Sequence, residues 1–188
     1  DHRDLHSFPT RRSSDLYEES IKGTDGIYTD EKNILLTSAY ADCVPLFFYE
    51  PSKKLIGLAH AGWKGTVKNI GGNMVQHWVE KEKVNPKNIL VTIGPAIGAC
   101  CYVVDDRVID KVNNVITDDF KPYEVLQNNQ YKLDLKALNY YLLLESGIQN
   151  ENITISSFCT SCDEGNFFSH RRDKGTTGRM LSFIGFTK

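Results

Sequence analysis

Two residues carry chemistry that could make a reaction centre. Cys43 sits in Tyr40-Ala41-Asp42-Cys43-Val44-Pro45, and His60 sits in Ala59-His60-Ala61-Gly62-Trp63-Lys64-Gly65. A thiolate and an imidazole are donors that suit zinc or copper. Two ligands do not complete a site, because catalytic zinc usually takes three protein ligands and keeps one position open. Each residue also has a structural reading, since free cysteine often behaves as a small buried hydrophobe. The segment after His60 favours the functional one. Gly62 and Gly65 allow close backbone approach, and the N–H groups of a helix start attract anions. Lys64 adds positive charge and Thr66 a hydroxyl, so a phosphate-sized anion beside a metal is a plausible arrangement. Asp42 is placed to orient a ligand or base, with Asp25 a second candidate for that work.

Three further groups have both structural and functional readings. Cys159-Thr160-Ser161-Cys162 has the spacing of a zinc or redox pair. A four-thiolate site would need a second pair, and adjacent Cys100-Cys101 is a poor one, because neighbouring side chains diverge. Arg171 and Arg172, after Phe167-Phe168-Ser169-His170, either form structural ion pairs or bind phosphate bidentately. His77, beside Trp78, belongs on a helix surface.

Periodicity marks the elements that must position these residues. Gly23-Thr24-Asp25-Gly26 is a turn signal. Strands are predicted at 33–39, 44–49 and 55–59, the last two joined as a hairpin through Glu50-Pro51-Ser52. If the three are neighbours, their ends converge at one sheet edge, bringing Cys43 and His60 together. A helix is predicted over 66–83, with Val67, Ile70, Met74, Val75 and Trp78 on one face, ended by Asn85-Pro86. Further strands are expected at 89–93, 153–157 and 180–186. A helix over 105–112 turns Val108, Ile109 and Val112 inward. Another is capped by Asp134, carries the stripe Leu135, Leu138, Leu142 and Leu143, and closes at Gly147. Strands and helices mix without a regular βαβ repeat. The expected fold is therefore α/β (α+β), a single domain with mixed sheets covered by helices rather than a doubly wound parallel sheet.

Composition bounds the function. The 188 residues are 40% hydrophobic and 24% charged, with a formal net charge of −2. That suits one domain with a real core and gives no basic footprint for nucleic acid. No apolar run reaches the roughly 18 residues that a bilayer span needs. No secretory-type apolar segment stands at the start, so a cytoplasmic location is expected. Five cysteines, an odd number in a chain this long, do not form a disulfide framework. Residues 1–16, DHRDLHSFPTRRSSDL, share no pattern with the rest of the chain and look like adapter or vector sequence. The authentic domain is expected over 17–188, truncated at its N-terminus. His2 and His6 could ligate metal only by their chemistry.

Several motifs in order carry a resemblance: Ala-Asp-Cys-Val-Pro around Cys43, Ala-His-Ala-Gly-Trp-Lys-Gly-Thr around His60, Gly-Pro-Ala-Ile-Gly with Cys-Cys-Tyr, and Phe-Phe-Ser-His-Arg-Arg-Asp with Thr-Gly-Arg. From about Gly23 to Phe186 the chain resembles the laccase-domain family, also named the polyphenol oxidase or YfiH family and now described as purine nucleoside phosphorylases. The resemblance implies stacked layers, α/β/β/α, as in the catalytic domain of cytotoxic necrotizing factor. It implies zinc held by Cys43, His60 and a histidine from an upstream Gln-Val-His-Gly motif that this sequence does not contain. Where the family often has tyrosine, this chain has His170. The implied partners are a small nucleoside and phosphate. The implied reaction is phosphorolysis of adenosine, inosine, guanosine or methylthioadenosine, with adenosine deamination also credited to the family. Two other readings stay open: a copper-dependent oxidase of phenols, and a cysteine-dependent hydrolase or peptidoglycan editing factor with Cys43 as nucleophile and His60 as base.

Overall fold

The computed structural model describes residues 23–187. The segment 1–16, with His2 and His6, lies outside the described residues. Among those described, ten strands and four α-helices run in the order β1 (Gly26–Thr29), β2 (Leu35–Tyr40), β3 (Val44–Glu50), β4 (Leu55–Ala61), α1 (Trp63–Val67), α2 (Ile70–Lys81), β5 (Leu90–Ile93), β6 (Val103–Asp105), α3 (Asp106–Asn113), β7 (Tyr123–Val125), β8 (Gln130–Leu133), α4 (Leu135–Glu145), β9 (Ile153–Ile155) and β10 (Met180–Gly185). The main sheet has the order β1-β4-β3-β5-β9. It is antiparallel except where β9 runs parallel to β5. A two-stranded ribbon pairs β10 with β2, and a third sheet has the order β6-β8-β7.

Alternation along β3 and β4 explains the layering. Side chains on a strand point to opposite faces in turn. Leu46, Phe48, Leu55 and Ala59 join the large core with residues of the helices, including Met74, Trp78, Val108, Leu138 and Leu143. Ile56 and Leu58 face the other way, packing with Leu36 of β2 and with Ile184 and Phe186 at the β10 end. The layers are thus helices, main sheet and ribbon, a mixed α/β fold. The second helical layer of the expected α/β/β/α sandwich does not occur among the described residues. No helix among them is long and apolar enough to cross a membrane.

The predicted hairpin is β3–β4, in register from Val44↔Ala61 to Glu50↔Leu55. One expected neighbour is different. The strand near residues 33–39 is β2, which belongs to the ribbon. The second partner of β4 is β1, four residues, Gly-Ile-Tyr-Thr, that directly follow a turn signal and form no aliphatic run. The single helix expected over 66–83 is two helices. Asn69 takes a left-handed conformation, φ 55, and its side chain accepts the Gly72 N–H at 3.1 Å. A short polar side chain that bonds locally competes with helix continuation. Asp105 and Asp134 cap α3 and α4 as side-chain acceptors. Gly147 closes α4 at φ +90, with the Ile148 N–H returning to Leu143 O.

Candidate functional site

The ladder places the donors. Pro45 faces His60 across β3 and β4, so Cys43, just before β3, meets Gly62, just after β4. A methyl group on Gly62 would sit 2.9 Å from Cys43 Sγ and 3.8 Å from His60 Nε2. The thiol and the imidazole therefore flank one point at the sheet edge. On the other side of β4, the His60 N–H donates to Asp25 O at 2.7 Å. The Asp25 carboxylate lies 3.4 Å from His60 Nδ1. Tyr40 packs its ring edgewise on the imidazole, centroids 5.2 Å apart. With Nδ1 turned to a carboxylate, Nε2 is left to face Cys43, the usual arrangement of a ligating histidine. Asn in place of Asp25 should lower zinc affinity about 10- to 100-fold, read by competition with a chromophoric chelator. Equal affinity in the two proteins would remove Asp25 from that role.

Two carboxylates and a guanidinium act on the thiol. Burial raises the Cys43 thiol above its ordinary pKa, and the Asp42 and Asp25 charges push the same way, with Arg179 opposing. A divalent ion reverses such a bias, because a coordinating thiol is deprotonated outright. The residues present thus fit a zinc-type ion as two of its ligands. Among the described residues no third His, Cys, Asp or Glu joins this pair in a metal-sized group.

Asp42 makes its side-chain bonds to two loops. It is 7% exposed, accepts Thr160 Oγ1–H at 2.7 Å and receives the Arg171 N–H at 2.9 Å. It ties the 160s and 170s loops to the residue before Cys43. Thr66 is fully buried. Its hydroxyl donates to Ala61 O at 3.3 Å and accepts from Asn139 Nδ2 at 3.0 Å. The hydroxyl thus pins α1 to α4 and has both partners within the protein. Arg172 is half-buried and makes protein contacts with its whole guanidinium. Its guanidinium donates to both Asp173 carboxylate oxygens and to the carbonyls of Thr160 and Phe167. Arg171 is exposed, lies 5.1 Å over the Tyr102 ring and donates to Val103 O. Lys64 is exposed with its ammonium 5.7 Å from the Trp63 ring.

Gly62 and Gly65 serve the close approach expected of them. A methyl on Gly65 would meet His60 O at 2.9 Å. Gly62 has φ −65, which any residue adopts, so its constraint is the sulfur alone. Gly62→Ala should leave the melting temperature nearly unchanged, since a thiol at the end of a short side chain can swing aside. Displacing that ligand should weaken zinc binding by roughly 10- to 100-fold. Scanning calorimetry and calorimetric titration check the two halves, and undiminished binding would show that the thiol is not a ligand.

Sequence reasoning missed two groups here. Arg179, of the Thr-Gly-Arg motif, acts on the Cys43 thiol. Tyr102, of Cys-Cys-Tyr, is pushed up to about 12 by burial, with Arg171 lowering it and Cys43 raising it. Their motifs were visible, but their proximity to Cys43 depends on loop packing.

The other cysteines converge. One ligand atom from each of Cys100, Cys101, Cys159 and Cys162 lies within 4.8 Å of the others, so the four could hold a metal ion. This corrects the expectation that Cys100 and Cys101 make a poor pair, which suits an extended strand. Here the chain turns, with the N–H groups of Cys101 and Tyr102 both bonded to Gly98 O. His77 meets the Tyr28 hydroxyl at 3.2 Å, and His170 is exposed. An open depression of about 410 Å³ borders Cys100, Phe120, Tyr123 and Lys132, and neither Cys43 nor His60 lines it.

A family model described as multi-copper polyphenol oxidoreductase laccase matches residues 3–187. The chain is 53% identical over 169 residues to the purine nucleoside phosphorylase YlmD of Bacillus subtilis strain 168, covering 90% of this chain and 61% of that protein. It thus spans about three-fifths of that relative's length. The crystal structure of YlmD from Geobacillus stearothermophilus superposes with TM-score 0.89 at 50% identity, over 92% of this chain and 64% of the other. That of the Bacillus licheniformis hypothetical protein YfiH gives TM-score 0.90 at 48% identity, over 97% and 70%.

Proposed function

We propose, since this chain belongs to the multi-copper polyphenol oxidoreductase laccase family, that it works as a zinc-dependent purine nucleoside phosphorylase. Its substrates would be adenosine, inosine, guanosine or methylthioadenosine. A phosphate oxygen bonds to the anomeric carbon as the glycosidic C–N bond breaks, and the released base takes up a proton. The observation that carries the reading is the point beside Gly62 flanked by Cys43 Sγ and His60 Nε2, with Asp25 on the far ring nitrogen. The name of the Bacillus subtilis relative supplies the reaction.

Zinc held by Cys43 and His60 would supply Lewis acidity to an oxygen of the reactants. Asp25 fixes the imidazole, and Asp42 holds the loops around Cys43. Lys64 and Arg171 offer cationic charge to phosphate, with Arg179 added to them; guanidinium suits that anion by its bidentate geometry. Thr66, buried, and Arg172, half-buried, brace the site through their bonds to the surrounding backbone and side chains.

The test is base release from each of the four nucleosides by the zinc-loaded chain, with and without phosphate. Release that requires phosphate, is lost to a chelator and returns with zinc is the expected result. No release from any of the four, in protein shown to contain zinc, overturns the reading. Ammonia release from adenosine tests the deaminase activity within the same proposal. What weighs against a copper oxidase is that, among the described residues, His60, His77 and His170 do not form one group, and phenol oxidation by copper-loaded protein would reverse that judgement. Activity that persists in EDTA until Cys43 is alkylated would favour a cysteine hydrolase.

A further inference from the structure

Outside the Cys43–His60 site, four sulfurs meet where two loops leave the same edge of the main sheet. Strands β5 and β9 are parallel, in register at Ile93↔Ile155, so their C-terminal ends lie side by side. The loops leaving those ends stay together: Ala96 bridges Cys159, and the Thr160 N–H donates to Ala96 O at 3.1 Å. Each then turns tightly. Gly98 O receives two N–H groups from its loop, and Cys159 O receives those of Cys162 and Asp163. The result places Cys162 Sγ 3.5 Å from Cys100 Sγ and 3.3 Å from Cys101 Sγ.

We propose that Cys100, Cys101, Cys159 and Cys162 form a tetrathiolate zinc site that clasps these two loops. Four thiolates around zinc at about 2.3 Å stand roughly 3.8 Å apart, the scale of the separations here, all within 4.8 Å. Tetrahedral sulfur coordination selects zinc or iron among biological metals. The surroundings fit thiolates as well. The Gly98 N–H donates to Cys159 Sγ at 3.2 Å. A methyl on Gly98 would come within 3.3 Å of Cys100 Sγ and 3.2 Å of Cys159 Cβ, so glycine leaves the space that the sulfurs occupy. Lys136 of α4, 8% exposed, holds the approach to Cys159 by donating to Ser156 O and Phe158 O.

Four protein ligands leave no open position, so the site is structural. Each thiol releases its proton to solvent on binding. Its effect reaches the reaction centre through one residue: Thr160, next to Cys159, donates to the Asp42 carboxylate, and Asp42 precedes Cys43. Loading the clasp orders the loop on which Asp42 depends.

The test reads metal rather than activity, so it stands apart from the phosphorylase proposal. The full chain carrying His60→Ala and Cys43→Ser is purified in reducing buffer and titrated with zinc. One tightly bound equivalent is expected, with X-ray absorption showing only sulfur neighbours at about 2.3 Å. Adding Cys162→Ser should lower the affinity roughly 100-fold or more and abolish the rise in melting temperature on zinc addition. Should that variant fold poorly, Cys100→Ser serves instead, and the absorption measurement needs neither. Nitrogen or oxygen neighbours, no bound equivalent, or a disulfide between Cys162 and Cys100 or Cys101 in the reduced, zinc-supplied protein would overturn the proposal. Iron in place of zinc in protein from cells would overturn the choice of metal.

Discussion

His60→Ala should cut phosphate-dependent base release by on the order of a thousandfold or more, matching the several kcal/mol of charge stabilisation that a catalytic metal supplies. The fold should survive, because the imidazole lies at the end of β4 and is one-third exposed, 34%. What alanine removes is Nε2, the nitrogen facing Cys43, and the ring on which Asp25 acts. The loss should therefore appear in kcat and bound zinc together, with the circular dichroism spectrum unchanged. Asn at position 25 should produce a milder form of the same defect, because it leaves Nε2 in place. If His60→Ala retains more than about a tenth of the activity at full zinc occupancy, the imidazole is not a ligand and the site must be sought elsewhere.

Trp78→Ala should cost about 3–5 kcal/mol of folding free energy, a large part of the roughly 5–15 kcal/mol typical of a domain. Trp78 is fully buried. It meets Tyr28 of β1 and Phe48 of β3 edgewise, with centroids 5.9 and 6.0 Å away. Between those strands, Gly57 of β4 leaves it room: a methyl there would stand 3.0 Å from the indole Cζ2. One side chain of α2 thus spans the three strands whose ends hold Asp25, Cys43 and His60. Urea denaturation monitored by circular dichroism gives the cost. Exposed His77, the preceding residue, is the control, with a change under about 0.5 kcal/mol expected on substitution by alanine. A cost below about 1.5 kcal/mol for Trp78 would place the centre of the core somewhere else.

Much of this molecule was legible in its residues. Alternation and turn chemistry located β3 and β4 because both run seven residues and are joined by a short turn. The apolar stripes of α3 and α4 were plain because helical spacing repeats over several turns. Short β1, β6, β7 and β8 were not found: three or four residues carry no period, and unlike the equally short β5 (Leu-Val-Thr-Ile) and β9 (Ile-Thr-Ile) they are not unbroken runs of aliphatic and β-branched residues. The break at Asn69 depended on a side-chain cap that competes with an otherwise helical pattern.

By itself the sequence determined which donors exist, that Cys43 and His60 flank a strand pair, and that His60 borders glycine-rich backbone. Tertiary structure decided their partners. Register put Asp25 beside His60, while loop packing gave Asp42 to Thr160 and Arg171. Packing gave the Thr66 hydroxyl to Ala61 and Asn139 and the Arg172 guanidinium to Asp173, and the parallel ends of β5 and β9 gathered four sulfurs from distant turns. The reason is physical: period and propensity act within a few residues, whereas a side chain's neighbour across a sheet edge depends on register, and register is settled by the whole packed core.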